Sequence, residues 1–115
     1  MKCLFLLQER NPSVRSSTLE VVLKPGDSLT EWCKAFSQSR PNITWYLDGE
    51  AVYNGAGYTI LHTQLNEGGH QGDEGIQSTL KASSMSVEKT GEYKCVACNI
   101  GNCTFQVIRV YIDGE

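Results

Sequence analysis

Gly91-Glu92-Tyr93-Lys94-Cys95 is the stretch whose reading decides the fold. A tyrosine stands two residues before a cysteine, and the run continues as Val96-Ala97-Cys98. With the two-residue period of a strand, Tyr93, Cys95 and Ala97 share one face. Upstream, Cys33 closes a second alternating run, Leu29-Thr30-Glu31-Trp32-Cys33. Trp45 lies in a third, Ile43-Thr44-Trp45-Tyr46-Leu47, which ends at the Asp48-Gly49 turn. Two cysteines therefore bracket a tryptophan, and the second carries a tyrosine just ahead of it.

These spacings together resemble the core signature of an immunoglobulin-superfamily domain, most like the intermediate (I-set) type, from about Leu19 to Ile112. Lys24-Pro25-Gly26-Asp27-Ser28-Leu29 is similar to the family's turn into the strand holding the first cysteine. Ser78 to Met85 resembles a later strand and its link. Cys95-Val96-Ala97-Cys98-Asn99 resembles the family's Cys-x-Ala-x-Asn string, which favours the I-set over the variable type. The resemblance implies an all-β fold, a two-sheet antiparallel immunoglobulin-like sandwich with Greek-key connections. It also implies a Cys33–Cys95 bond between the sheets, Trp45 packed against that bond, and a Tyr93 hydroxyl turned back to the backbone.

The departures carry information too. The family usually places Asp two residues before the glycine of the tyrosine string, paired with a basic residue. Lys89 and Gly57 occupy those slots here, so both partners are gone together and no unpaired buried charge is implied. Alternation points Glu31 inward between Leu29 and Cys33, where a lone carboxylate would cost several kcal/mol. A bulge or a wet edge of the sandwich is expected there. The same alternation points Trp32 outward as a large apolar ring.

The 115 residues fit one domain, 1–115, with a formal net charge of -3. Scattered Lys and Arg offer no basic stripe for nucleic acid. No apolar run approaches the length of a membrane span. The apolar stretch Cys3 to Leu7 is shorter than a signal-peptide core, and Met1 is read as the start of a fragment of a larger multidomain protein.

Five cysteines point to an oxidising compartment. Cys98 and Cys103 flank Asn99-Ile100-Gly101-Asn102, a hairpin turn with Gly and Asn placed for unusual backbone angles. Pairing across that hairpin sets the two sulfurs on one face within bonding reach. A zinc half-site is the alternative, but the sequence supplies no second ligand pair. Cys3 is left over by this count. The sequons Asn42-Ile43-Thr44 and Asn102-Cys103-Thr104 agree with secretion.

Turn signals at regular intervals divide the chain into strands. A split first strand is expected over 3–8 and 18–23, broken near Asn11-Pro12-Ser13. Further strands are expected over about 28–36, 42–47, 51–53, 58–63, 76–83, 92–98 and 103–112, with one helical turn within 84–90. Gln64 to Gly75, with Gly68, Gly69, Gly72 and Gly75, reads as a long mobile connection. His62, Glu67, His70, Asp73 and Glu74 form the one metal-like cluster, but a glycine-rich loop fixes ligands poorly, and solvated loop polars are expected. No nucleophile motif or phosphate loop is present. No catalytic residue, metal or cofactor is expected.

Function then has to come from a surface. The resemblance implies an extracellular recognition module of a cell-adhesion molecule or receptor, at the cell surface or secreted. Its partner would be a protein, homophilic or heterophilic, with neighbouring domains of the parent chain and no membrane contact by the domain itself. An intracellular structural I-set domain of a muscle filament or the cytoskeleton, and a secreted ligand-binding antagonist, are the alternatives. The favoured surface is the face built from 42–47, 92–98 and 103–112, with Tyr46, Tyr53, Ile100 and Phe105 as contact candidates. Trp32 on the opposite sheet is the rival.

Overall fold

β-Branched and aromatic runs separated by Gly, Pro, Asn and Asp turns produce nine strands among the described residues. The computed structural model describes residues 10–66 and 72–113. The strands are β1 Ser13–Ser16, β2 Glu20–Leu23, β3 Leu29–Ser37, β4 Asn42–Leu47 and β5 Glu50–Val52. They continue as β6 Tyr58–Leu65, β7 Glu74–Ala82, β8 Gly91–Cys98 and β9 Cys103–Ile112, with a 3-10 turn at Val87–Lys89. One sheet has the order β1-β3-β7-β6 and the other β2-β9-β8-β4-β5. The two pack face to face as the expected immunoglobulin-type sandwich. All pairs are antiparallel except β2 with β9, which is parallel. That parallel pair is an exception within an otherwise antiparallel sandwich.

The core follows from the alternation. Leu29, Cys33 and Ala35 of β3 and Leu80 and Ala82 of β7 face Ile43 and Trp45 of β4, Tyr93, Cys95 and Ala97 of β8, and Ile108 and Val110 of β9. Cys33 and Cys95 are joined between the sheets. Trp45 is buried within the same cluster, and its indole N–H donates to Ser78 Oγ at 2.8 Å. Ser78 lies opposite Cys33 in the β3–β7 register. The Tyr93 hydroxyl donates to the Lys89 carbonyl and meets Tyr58 Oη at 2.8 Å. Burial is the main cause that pushes the Tyr93 phenol far above its ordinary value, and the bond to Tyr58 adds to it.

Several expectations are corrected. The first strand breaks at 17–19 rather than near Asn11-Pro12-Ser13, because Ser13 already pairs with Phe36. Residues 3–8 and Cys3 lie outside the described residues. The break is where the chain leaves one sheet for the other, and it explains Glu31. That side chain is only 4% exposed and sits in regular register opposite Leu80, with neither a bulge nor a wet edge. Its carboxylate accepts from the Ser17 and Thr18 hydroxyls at the crossing. The connection expected over Gln64 to Gly75 is shorter: Leu65 pairs with Gly75 and Gln64 with Ile76.

The polar cluster is also not merely solvated. Asp73 pairs with Arg10 at 3.0 Å, Glu74 with Arg40 at 3.4 Å, and His62 lies on β6. Glu67 and His70 lie outside the described residues. At the altered corner, Lys89 Nζ donates to the Ser84 carbonyl at 3.0 Å. It lies 2.6 Å from where a Cβ at position 57 would stand, and Gly57 leaves that room.

Candidate functional site

The outward face of the five-stranded sheet is built from residues that alternate with the core. From β4, β8 and β9 come three registered rows: Thr44–Val96–Phe105, Tyr46–Lys94–Val107 and, reaching β2, Glu92–Arg109–Glu20. Phe105 is 56% exposed, and Lys94 Nζ lies 4.5 Å from its ring centroid. That geometry attracts the cation to the ring face while leaving the ring edge in water. Tyr46, Gly49, Glu92, Lys94 and Val96 line a hollow of about 400 Å³ on this face. Glu92 and Arg109 pair at 3.2 Å beside it. Val22 and Tyr111, paired across β2 and β9, extend the apolar surface toward the sheet edge.

The hairpin between β8 and β9 is tied at both ends. Cys98 and Cys103 lie opposite each other and are bonded. Asn99 Oδ1 accepts from the backbone N–H groups of Gly101 and Asn102, and Asn99 Nδ2 donates to Ser37 Oγ at 2.9 Å and to the Arg10 carbonyl at 2.8 Å. One asparagine thus folds the turn and fastens it to the other sheet. Ile100 stands at the tip, 79% exposed.

Four of the sequence candidates are therefore exposed or half-buried, though not all adjacent. Tyr46 and Phe105 lie on the face itself; Ile100 is at its hairpin end. Tyr53, 72% exposed, sits just past the β5 edge. Val96, Val107, Tyr111 and Lys94 were not singled out from sequence, although the alternation through Cys95, Ile108 and Val110 marks them as outward. Asn42 is exposed and lies beside Cys98 on the same face. Asn102 is half-buried, and the hydroxyl of its sequon partner Thr104 donates to the Pro12 carbonyl at 2.7 Å.

Trp32 points outward on the opposite sheet and is half-buried. Lys34 Nζ covers it at 4.7 Å. Among the described residues no group of three or more His, Cys, Asp or Glu side chains is placed to hold a metal ion. The exposed Glu88 carboxyl is held below its ordinary value, chiefly by a hydrogen bond from Ser86.

The sequence model of the family described as "Immunoglobulin domain" matches residues 11–99. The chain belongs to the immunoglobulin domain family. Cell adhesion molecule DSCAM of Rattus norvegicus is 27% identical over 109 residues, which is 95% of this immunoglobulin domain and 5% of that protein. The chain therefore spans a small part of the relatives it matches. A crystal structure of the N-terminal eight Ig domains of Down Syndrome Cell Adhesion Molecule superposes with a TM-score of 0.75 at 26% identity, covering 92% of this chain and 15% of that one. Titin domain M7 superposes at 0.72 with 17% identity, covering 93% and 98%, and shows the shared fold.

Proposed function

We propose that this immunoglobulin domain is an extracellular recognition module, one of several domains in a cell-surface adhesion molecule or receptor. It binds a protein partner through the outward face of β4, β8 and β9. The observation that carries this reading is the contiguous surface of Tyr46, Val96, Phe105 and Val107 around Lys94, ending at the disulfide-tied hairpin. Aromatic side chains on a rigid scaffold provide contact area at low ordering cost. The relatives named as cell adhesion molecules support the class of function. The two bonded cysteine pairs support an oxidising location over the intracellular filament alternative.

The test compares Phe105→Arg with Trp32→Arg, each checked for folding by circular dichroism. The domain is multimerised on beads and offered to cell surfaces. Phe105→Arg should weaken capture by about thirtyfold, the scale of one central contact. Loss of capture in Trp32→Arg with Phe105→Arg unaffected would move the site to the other sheet. Mass spectrometry without reductant should find both bonds in protein secreted from cells.

A further inference from the structure

Among the described residues the four sheet edges are not alike. β1 and β2 have four residues each and β5 has three, and each of these contains Arg or Glu. β6 has eight, Tyr-Thr-Ile-Leu-His-Thr-Gln-Leu, with no Lys, Arg, Asp, Glu, Pro or Gly. Short length and charge are the usual means of blocking edge-to-edge association. On β6 neither is used. We propose that two copies of this domain pair antiparallel along β6, joining their four-stranded sheets into one continuous sheet. The contact lies on the opposite sheet from the recognition face and does not rest on that assignment.

The main chain sets the register. Tyr58 exchanges backbone bonds with Gly55, and the Ile60 N–H donates to Asn54 Oδ1 at 2.6 Å. These groups point away from β7, so by alternation the N–H and C=O of His62 and Gln64 also point to the outer edge. The turn before β6 therefore caps the first half of the edge, and among the described residues nothing else bonds to the outward groups of His62 and Gln64. Placing His62 opposite Gln64 of the second copy uses those open groups in both copies. Placing His62 opposite its own counterpart would instead engage Ile60, whose N–H is already held.

Side chains select the same register independently. With His62 opposite Gln64 of the second copy, Leu61 falls opposite Leu65 of that copy, and Thr63 meets Thr63. Leu61 is 52% exposed and continues the row Trp32–Thr79–Leu61 on the sheet's outer face. Leu65 continues the row Phe36–Gly75–Leu65. A Cβ on residue 75 would lie 2.5 Å from the Phe36 ring, so glycine lets Phe36 and Leu65 close over it. The paired copies would thus carry an unbroken band from Trp32 and Leu61 to Leu65 and Phe36 of the second copy, twice. No like charges meet at the seam.

Sedimentation velocity and amide exchange test this. The wild-type domain should show a reversible monomer–dimer equilibrium below about 1 mM. His62 and Gln64 amides should gain protection as concentration rises, while the inward-bonded Leu61 and Thr63 amides stay protected throughout. Gln64→Pro removes an edge N–H without touching the ladder to β7. Losing one donor from each copy should weaken the dimer about thirtyfold. Leu61→Lys, which keeps the backbone intact, should abolish it, and Phe105→Arg should leave it unchanged. A domain that stays monomeric to about 1 mM overturns the proposal. So does a dimer that survives both β6 variants, or one whose concentration-dependent protection falls on another strand.

Discussion

Replacing Ser78 by alanine should destabilise this domain by about 1–3 kcal/mol, although it deletes a single oxygen. Ser78 is fully buried, and its Oγ accepts the indole N–H of Trp45 at 2.8 Å. Trp45 is itself buried within the sandwich core, so water cannot take the lost acceptor's place. The cost is therefore the desolvation of an orphaned donor, not the modest net worth of an average hydrogen bond. For a chain of 115 residues, unfolding entropy near the midpoint is about 0.24 kcal/mol/K, so the midpoint should fall by about 4–12 °C. Urea unfolding followed by tryptophan fluorescence gives the free energy. Adding Ser78→Ala to Trp45→Phe should cost at least about 1 kcal/mol less than adding it to the parent, because the donor is already absent. A Ser78→Ala domain within about 0.5 kcal/mol of the parent, or strictly additive variants, would refute this reasoning.

Cys33→Ala should lower stability by about 2–5 kcal/mol, measured by urea unfolding under non-reducing conditions. The pair Cys98→Ser and Cys103→Ser removes a much shorter loop and should cost about 2 kcal/mol, with faster amide exchange over residues 99–102 as the larger signature. The Tyr93 phenol is raised in the fold while its unfolded value stays near 10. Its contribution to stability is therefore complete below about pH 10 and is lost as pH climbs above that toward the folded value. Alkaline unfolding curves of Tyr93→Phe should lack that limb; an unchanged pH slope would show that another group titrates there.

Local signals carried most of the strand plan. β4 and β9 run over the expected residues because the Asp48-Gly49 and Asn99–Asn102 turns mark their ends. What local signals could not carry was any partner set by topology. Glu31 looked like a misplaced charge because Ser17 and Thr18 lie 14 and 13 residues away and reach it only through the crossing between sheets. Ser78 reads as an ordinary strand serine until β7 is laid beside β3 and opposite Trp45. Arg10 and Asp73 are 63 residues apart. On the candidate face, alternation marks Val96 and Val107 as outward, but nothing local ranks them above other outward residues. The half-burial of Trp32 was not legible, since alternation gives a side chain's direction and not how closely its neighbours pack.

The parallel run of β2 beside β9 has a mechanical consequence. The chain enters β2 at Glu20 and leaves β9 at Ile112, and the register Glu20↔Arg109 to Leu23↔Ile112 puts those two points at opposite ends of one ladder. Tension along the chain between them pulls the strands lengthwise past each other and loads all the rungs at once. An antiparallel pair of terminal strands would be peeled apart rung by rung at far lower force. Resistance to pulling is a matter of the barrier to unfolding, not of equilibrium stability. Such a ladder lets a module strung between other domains bear load in shear while its sandwich core stays closed.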